Sequence, residues 1–167
     1  DLEEFGGTMD LSFWDTKDGE LGKNAEVSVN VPIFHDKFGL RLSGKYSADG
    51  GWIDQPAAMK EDINGVDVES FRVRALWRPT ELLDISGMYV SHSKSAAQVN
   101  GEDGDGNFEQ LLNRLTQPEI EDDYDLYNVS INYDFGWGSI LSTTSYIDAE
   151  KMSDDNGNVC CGGSELL

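Results

Sequence analysis

The chain has 167 residues, 32 of them Asp or Glu against 12 Lys or Arg, for a formal charge of −20. That balance argues against a nucleic-acid partner, because such binding sets Lys and Arg against phosphates. Only 38% of the residues are hydrophobic, which at this charge would suit disorder, yet the chain holds four Trp, six Tyr and seven Phe, and its apolar residues fall in periodic runs that argue for a fold over most of the chain. No stretch approaches the roughly 18 apolar residues of a membrane-spanning helix, a limit that does not touch spanning strands, which need about 10 residues with one apolar face.

Alternation with a period of two predicts an all-β antiparallel up-and-down meander of seven strands. The first spans about 7–14, with Met9, Leu11 and Phe13 on one face. In the second, 24–34, Ala25, Val27, Val29 and Val31 alternate with Glu26, Ser28 and Asn30, and in the third, 37–47, Phe38, Leu40, Leu42 and Tyr46 alternate with Arg41, Ser43 and Lys45. The fourth, 68–78, is the clearest: Phe71, Val73, Ala75 and Trp77 oppose Arg72, Arg74 and Arg78. The fifth covers 83–91, the sixth 124–135 with Tyr127, Val129, Ile131 and Tyr133 on one side, and the seventh 139–149. Tight turns are expected at 34–37, 78–81 and 135–138, and longer polar connections at 15–23, 48–66 and 92–122. A meander reverses at every turn, so all short turns fall at one end and all long loops at the other, the asymmetry of outer-membrane β-barrels. Within the last loop, Phe108-Glu109-Gln110-Leu111-Leu112-Asn113-Arg114-Leu115 has helical apolar spacing, ended by Pro118.

Few residues point to chemistry. Gly101-Glu102-Asp103-Gly104-Asp105-Gly106 partly fits a calcium loop but lacks its first ligand and the bidentate Glu, so a solvated turn is the better reading and no metal or other cofactor is expected. His35 and His92 are the only histidines and fall at opposite ends of the meander; with no Gly-x-Ser-x-Gly elbow and no Ser/His/Asp arrangement, nothing argues for an enzyme. Cys160 and Cys161 are adjacent and provide neither a disulfide framework nor zinc spacing, which leaves a vicinal disulfide, pairing outside the chain or two spare thiols. Arg41, Lys45, Arg72 and Arg74 form a basic patch on the polar face of the third and fourth strands. It either attracts an anionic ligand or acidic groups of another segment, or is compensated by Glu26, Glu69 or Asp134, and the second reading is favoured.

The stretch Asn30-Val31-Pro32-Ile33-Phe34-His35-Asp36-Lys37-Phe38-Gly39-Leu40-Arg41-Leu42-Ser43-Gly44, followed by Asp49-Gly50-Gly51-Trp52-Ile53-Asp54, resembles the barrel domain of TonB-dependent outer-membrane receptors. Asp62-Ile63-Asn64-Gly65-Val66-Asp67 and then Arg72-Val73-Arg74-Ala75-Leu76-Trp77-Arg78-Pro79-Thr80 is similar to the next hairpin of that family, and Gly6-Gly7-Thr8 looks like the entry from plug to barrel. The resemblance covers nearly all of residues 6–150. It implies that 1–167 is part of one domain, roughly the first third of a barrel of about 22 strands, with the plug, its TonB box and the C-terminal strands outside this chain. The opening Asp1-Leu2-Glu3-Glu4, with no initiator Met, fits the same expectation of an internal fragment.

The implied function is import of a scarce nutrient such as a ferric siderophore, hence iron uptake, across the outer membrane of a Gram-negative bacterium, with TonB and outer-membrane lipid as partners. Candidate ligand contacts are the basic patch, Trp52 and Asp54, and the 93–122 loop. Two other classes stay open: a passive porin or adhesin barrel, and a soluble all-β carbohydrate-binding module with Trp52 as a stacking platform.

Overall fold

In the second and third strands the β-branched and aromatic residues recur at every other position, so one pairing register keeps all of them on one side; a slip of one residue would turn each to the other. The computed structural model, which describes residues 2–97, 107–110 and 119–153, adopts that register. Seven strands, β1 (Gly6–Trp14), β2 (Gly22–Phe34), β3 (Phe38–Asp49), β4 (Val66–Thr80), β5 (Leu83–Ala97), β6 (Glu119–Asp134) and β7 (Ser139–Ser153), form a single sheet in sequence order. All six pairings are antiparallel. The sheet is open: β1 and β7 each pair on one side only, leaving two ladders of edge backbone groups without a strand partner.

The strand cores lie where alternation places them, but the ends at the long-loop side run further. β5 continues to Ala97, β6 starts at Glu119 and β7 reaches Ser153, inside segments expected to be loop. These extensions carry charged residues on both faces, and the backbone ladder holds them together. Lys94, Asp122 and Lys151 stand opposite one another across β5, β6 and β7, an order of signs that favours this register. At the other end the turns are tight. The Lys37 N–H donates to the Phe34 carbonyl at 3.0 Å with Asp36 at φ 57°, and the Phe135 N–H donates to the Gly138 carbonyl at 2.8 Å with Gly136 at φ 85°. The β4–β5 turn lies slightly later than expected, because β4 carries Arg78 and Pro79 through a register shift between Trp77 and Thr80.

The described part of the expected helical piece, residues 108–110, is not helical: Phe108 has a left-handed φ of 55°, and Glu109 is bridged in parallel to Asp54. Helical apolar spacing competes here with two backbone hydrogen bonds to the 50–65 loop, and over residues 108–110 the bonds win. Residues 111–115 of that expectation, the 101–106 turn and Cys160 and Cys161 lie outside the described residues.

Among the described residues, no second layer packs against the apolar face of the sheet. Met9 is 70% exposed, Val129 51% and Trp77 49%, and Leu11, Phe13, Val27, Phe71, Ile131 and Tyr146 are exposed with them. Among the described residues only Leu2, Ile53 and Ile63 are buried apolar side chains. The accessible surface of 11776 Å² compares with roughly 8,200 Å² for a compact monomer of this mass. The small buried set is therefore not the core of the sheet. Leu2 lies at the short-turn end, where its carbonyl accepts the Asp36 N–H at 3.3 Å, and Ile53 and Ile63 lie in the long β3–β4 connection.

Candidate functional site

Two places gather the residues singled out from the sequence, and they are far apart. Arg41 lies eight residues below Asp49, the loop end of β3, which at ~3.3 Å per residue is about 26 Å of strand. Trp52 and Asp54 lie beyond that end.

On the polar face, β3 and β4 bring the four basic residues together. Arg41 is the direct cross-strand partner of Arg74, and Ser43 that of Arg72, so the three arginines form a tight triangle. Like charges placed opposite each other are destabilising. Lys45 is neutralised: its Nζ lies 2.9 Å from Glu26 Oε1, as the compensation reading expects. The other two carboxylates of that reading do not serve. Glu69 pairs with Tyr46 and so stands on the apolar face. Asp134 lies at the far end of β6, where its Oδ1 accepts the Gly136 N–H at 2.7 Å. Arg41 Nη2 donates to Ser28 Oγ at 3.2 Å, and that hydroxyl is itself 2.9 Å from Thr8 Oγ1. Arg72 and Arg74 have no side-chain partner among the described residues. A hollow of about 640 Å³ is lined by Ser28, Arg41, Lys45, Arg72 and Tyr124, and a second of about 210 Å³ by Asn30, Arg41, Arg74 and Ser86.

At the long-loop end, residues 50–65 fold into a small cap. The Trp52 and Ile53 N–H groups both donate to Asn64 Oδ1, at 2.7 and 2.9 Å. The Ile63 N–H closes the loop onto the Ile53 carbonyl at 2.7 Å. The Asp54 N–H donates to the Phe108 carbonyl at 3.0 Å and the Gln110 N–H to the Asp54 carbonyl at 2.7 Å, which ties the cap to the β5–β6 connection. The fully buried Gln55 receives the Lys60 N–H and precedes the single-turn Pro56–Ala58. Gly51 is required here: a Cβ on it would lie 2.0 Å from the Asp62 carbonyl oxygen. Gly50 likewise lies against the Glu20 carbonyl, letting the β1–β2 connection cross the cap.

Asp54 braces the cap, its Oδ1 accepting the Asp62 N–H at 3.0 Å. Partial burial first, then the charges of Asp54, Glu20 and Glu61, raise the Asp62 carboxyl above the ordinary aspartate value. Trp52 keeps an exposed indole, at 38%. Among the described residues no group of three or more His, Cys, Asp or Glu is placed to hold a metal ion. His35 sits in the β2–β3 turn, 3.4 Å from Asp36 Oδ2, whereas His92 stacks on Tyr124 with ring centroids 4.9 Å apart. Sequence reasoning missed the cap residues Asn64, Gln55 and Ile63; the Gly50-Gly51 and Asn64-Gly65 pairs were its only local signal.

No protein-family model, curated protein or solved structure matches this chain.

Proposed function

We propose that this chain is part of the wall of a TonB-dependent receptor barrel in the outer membrane of a Gram-negative bacterium, importing a scarce nutrient such as a ferric siderophore. The observation that carries this reading is the uncovered apolar face and its borders. On β3 the apolar row runs from Phe38 to Tyr46, about 26 Å along the strand and about 20 Å along the axis of a barrel tilted by ~40°, close to the ~25 Å apolar band of such barrels. Aromatic rings edge the band. Tyr89, Tyr127 and Tyr146 stand in one cross-strand row with centroids 5.0 and 6.2 Å apart, and Tyr133, Phe135 and Trp137 cluster at the short-turn end. Beyond the Tyr row the same face turns acidic, with Asp123 opposite Glu150 and Asp125 opposite Asp148, as befits strands that rise out of lipid into water. The two open edges support a partial wall, because free backbone edges in hydrocarbon cost several kcal/mol per group and must meet further strands.

A soluble carbohydrate-binding module is disfavoured by the same face, which would set a contiguous apolar band against water. A passive porin shares the wall and differs in needing no energy input. Fractionation of cells producing the full-length protein tests the reading: it is expected in the outer-membrane fraction, released by detergent, with nutrient uptake lost when TonB is deleted. Recovery in the aqueous phase without detergent would overturn the membrane assignment. Uptake indifferent to TonB would leave a passive barrel.

A further inference from the structure

The acidic residues of this chain are sparse in one place. On the polar face Arg41 stands opposite Asn30 and Arg74, and the β3–β5 positions around the three arginines are Ser43, Ser70, Leu76, Ser86, Met88 and Val90, none a carboxylate. Asp10 and Glu26, from β1 and β2, border the larger hollow, Glu26 with its charge met by Lys45. The acids of β4, β6 and β7 at the loop end stand largely on the opposite face, at Asp67, Glu69, Glu121, Asp123, Asp125, Asp148 and Glu150. In a chain with 32 acidic residues, three clustered arginines with two guanidinia unpartnered among the described residues mark a local field of the opposite sign. Lys45 is excluded from that field by Glu26, and Asp54 and Trp52 are excluded by distance.

We propose that Arg41, Arg72 and Arg74 form a seat for a polycarboxylate or comparable oxyanion, deep on the polar face and separate from Trp52 at the loop end. It rests on the reading of that face as the wall of a hydrated bore, and narrows the ligand to one that carries clustered oxyanions. Arginine suits this chemistry, since each planar fork offers paired donors to a carboxylate. Arg41 borders both hollows, with Arg72 in the larger and Arg74 in the smaller, so one anion bridging the triangle would relieve the Arg41–Arg74 repulsion. Ser28 and Ser86 add neutral donors at the rim. The seat lies toward the short-turn end, about 26 Å of strand from the cap, and the loop end and the seat thus act as two stations, the outer one aromatic and the inner one cationic.

The test is calorimetric titration of citrate into the detergent-solubilised full-length protein, at low and at high ionic strength. Saturable binding that weakens with salt is expected, and a paired Arg72→Gln, Arg74→Gln variant should lose about tenfold or more in affinity. Arg74→Lys, which keeps the charge but not the fork, should fall between. Lys23→Gln, which removes a cation outside both hollows, should stay within about twofold of the parent. Citrate should raise the melting temperature of the parent and not of the paired variant, which keeps the test readable if that variant is less stable. Absence of saturable citrate binding in protein correctly located in the outer membrane would overturn the seat and leave the transport reading standing. Loss of melting temperature in Arg72→Glu with no effect of citrate on the parent would also overturn it, by assigning the arginines to a carboxylate of the protein itself.

Discussion

The sheet and the loop cap solve burial in opposite ways. The cap, residues 50–65 with 107–110, closes on itself: Ile53 and Ile63 are buried, Gln55 is fully enclosed, and its backbone groups find partners within the loops. The sheet, several times larger, buries almost none of its apolar face. A loop that carries its own core beside strands that have none shows that the missing core is not a general failure to pack. On the membrane reading proposed above, the strands would be covered from outside by lipid and the cap would stand in water.

Substitutions that act on one region and not the other break that comparison most sharply. Gly51→Val forces side-chain atoms into the Asp62 carbonyl, 2.0 Å from where a Cβ would sit, and should cost the cap about 3 kcal/mol or more. Hydrogen exchange should quicken at the Ile63 and Gln110 amides while strand amides such as Val129 stay protected. Val129→Lys, at mid-height of the apolar band, should cost about 2–4 kcal/mol of stability in a bilayer, against little for Ser130→Lys on the other face; denaturant titration in liposomes reads the difference. Asn64→Ala strips the acceptor from the Trp52 and Ile53 N–H groups and should cost about 1–2 kcal/mol, confined to the cap, by the same exchange measurement.

The smallest effect is a pH slope. Asp62 binds its proton more tightly in the folded cap than in the open loop, because burial and neighbouring acids raise its pKa. Cap stability should therefore be greatest below the ordinary aspartate value of 3.8 and decline as pH rises through the raised folded value. Asp62→Asn should flatten that slope in exchange measured across the range.

Alternation made the sheet legible, since a strict period of two around Val27, Leu42, Val73 and Val129 leaves one register that keeps one face apolar. It also placed Arg41, Lys45, Arg72 and Arg74 on one face and suggested the Lys45–Glu26 pair. The same parity excludes Glu69 from that face, since Glu69 shares its side with Phe71. The strand extensions past Ser91 and before Tyr124 were illegible because their charged residues carry no apolar period and owe their order to the neighbouring ladder. The cap was illegible for a different reason. Its ties join Asp54 to Phe108 and Gln110 across more than fifty residues, and backbone bonds leave no mark on side-chain pattern.

The central claim, that the apolar face meets acyl chains while the opposite face meets water, is tested most directly by spin labels at Val129→Cys and Asn128→Cys in the full-length protein in lipid, with Cys160 and Cys161 replaced by Ser. The account predicts that oxygen relaxes the label at 129 and a water-soluble nickel chelate relaxes the label at 128. Equal access of the chelate to both, or shielding of both from both reagents, would contradict it.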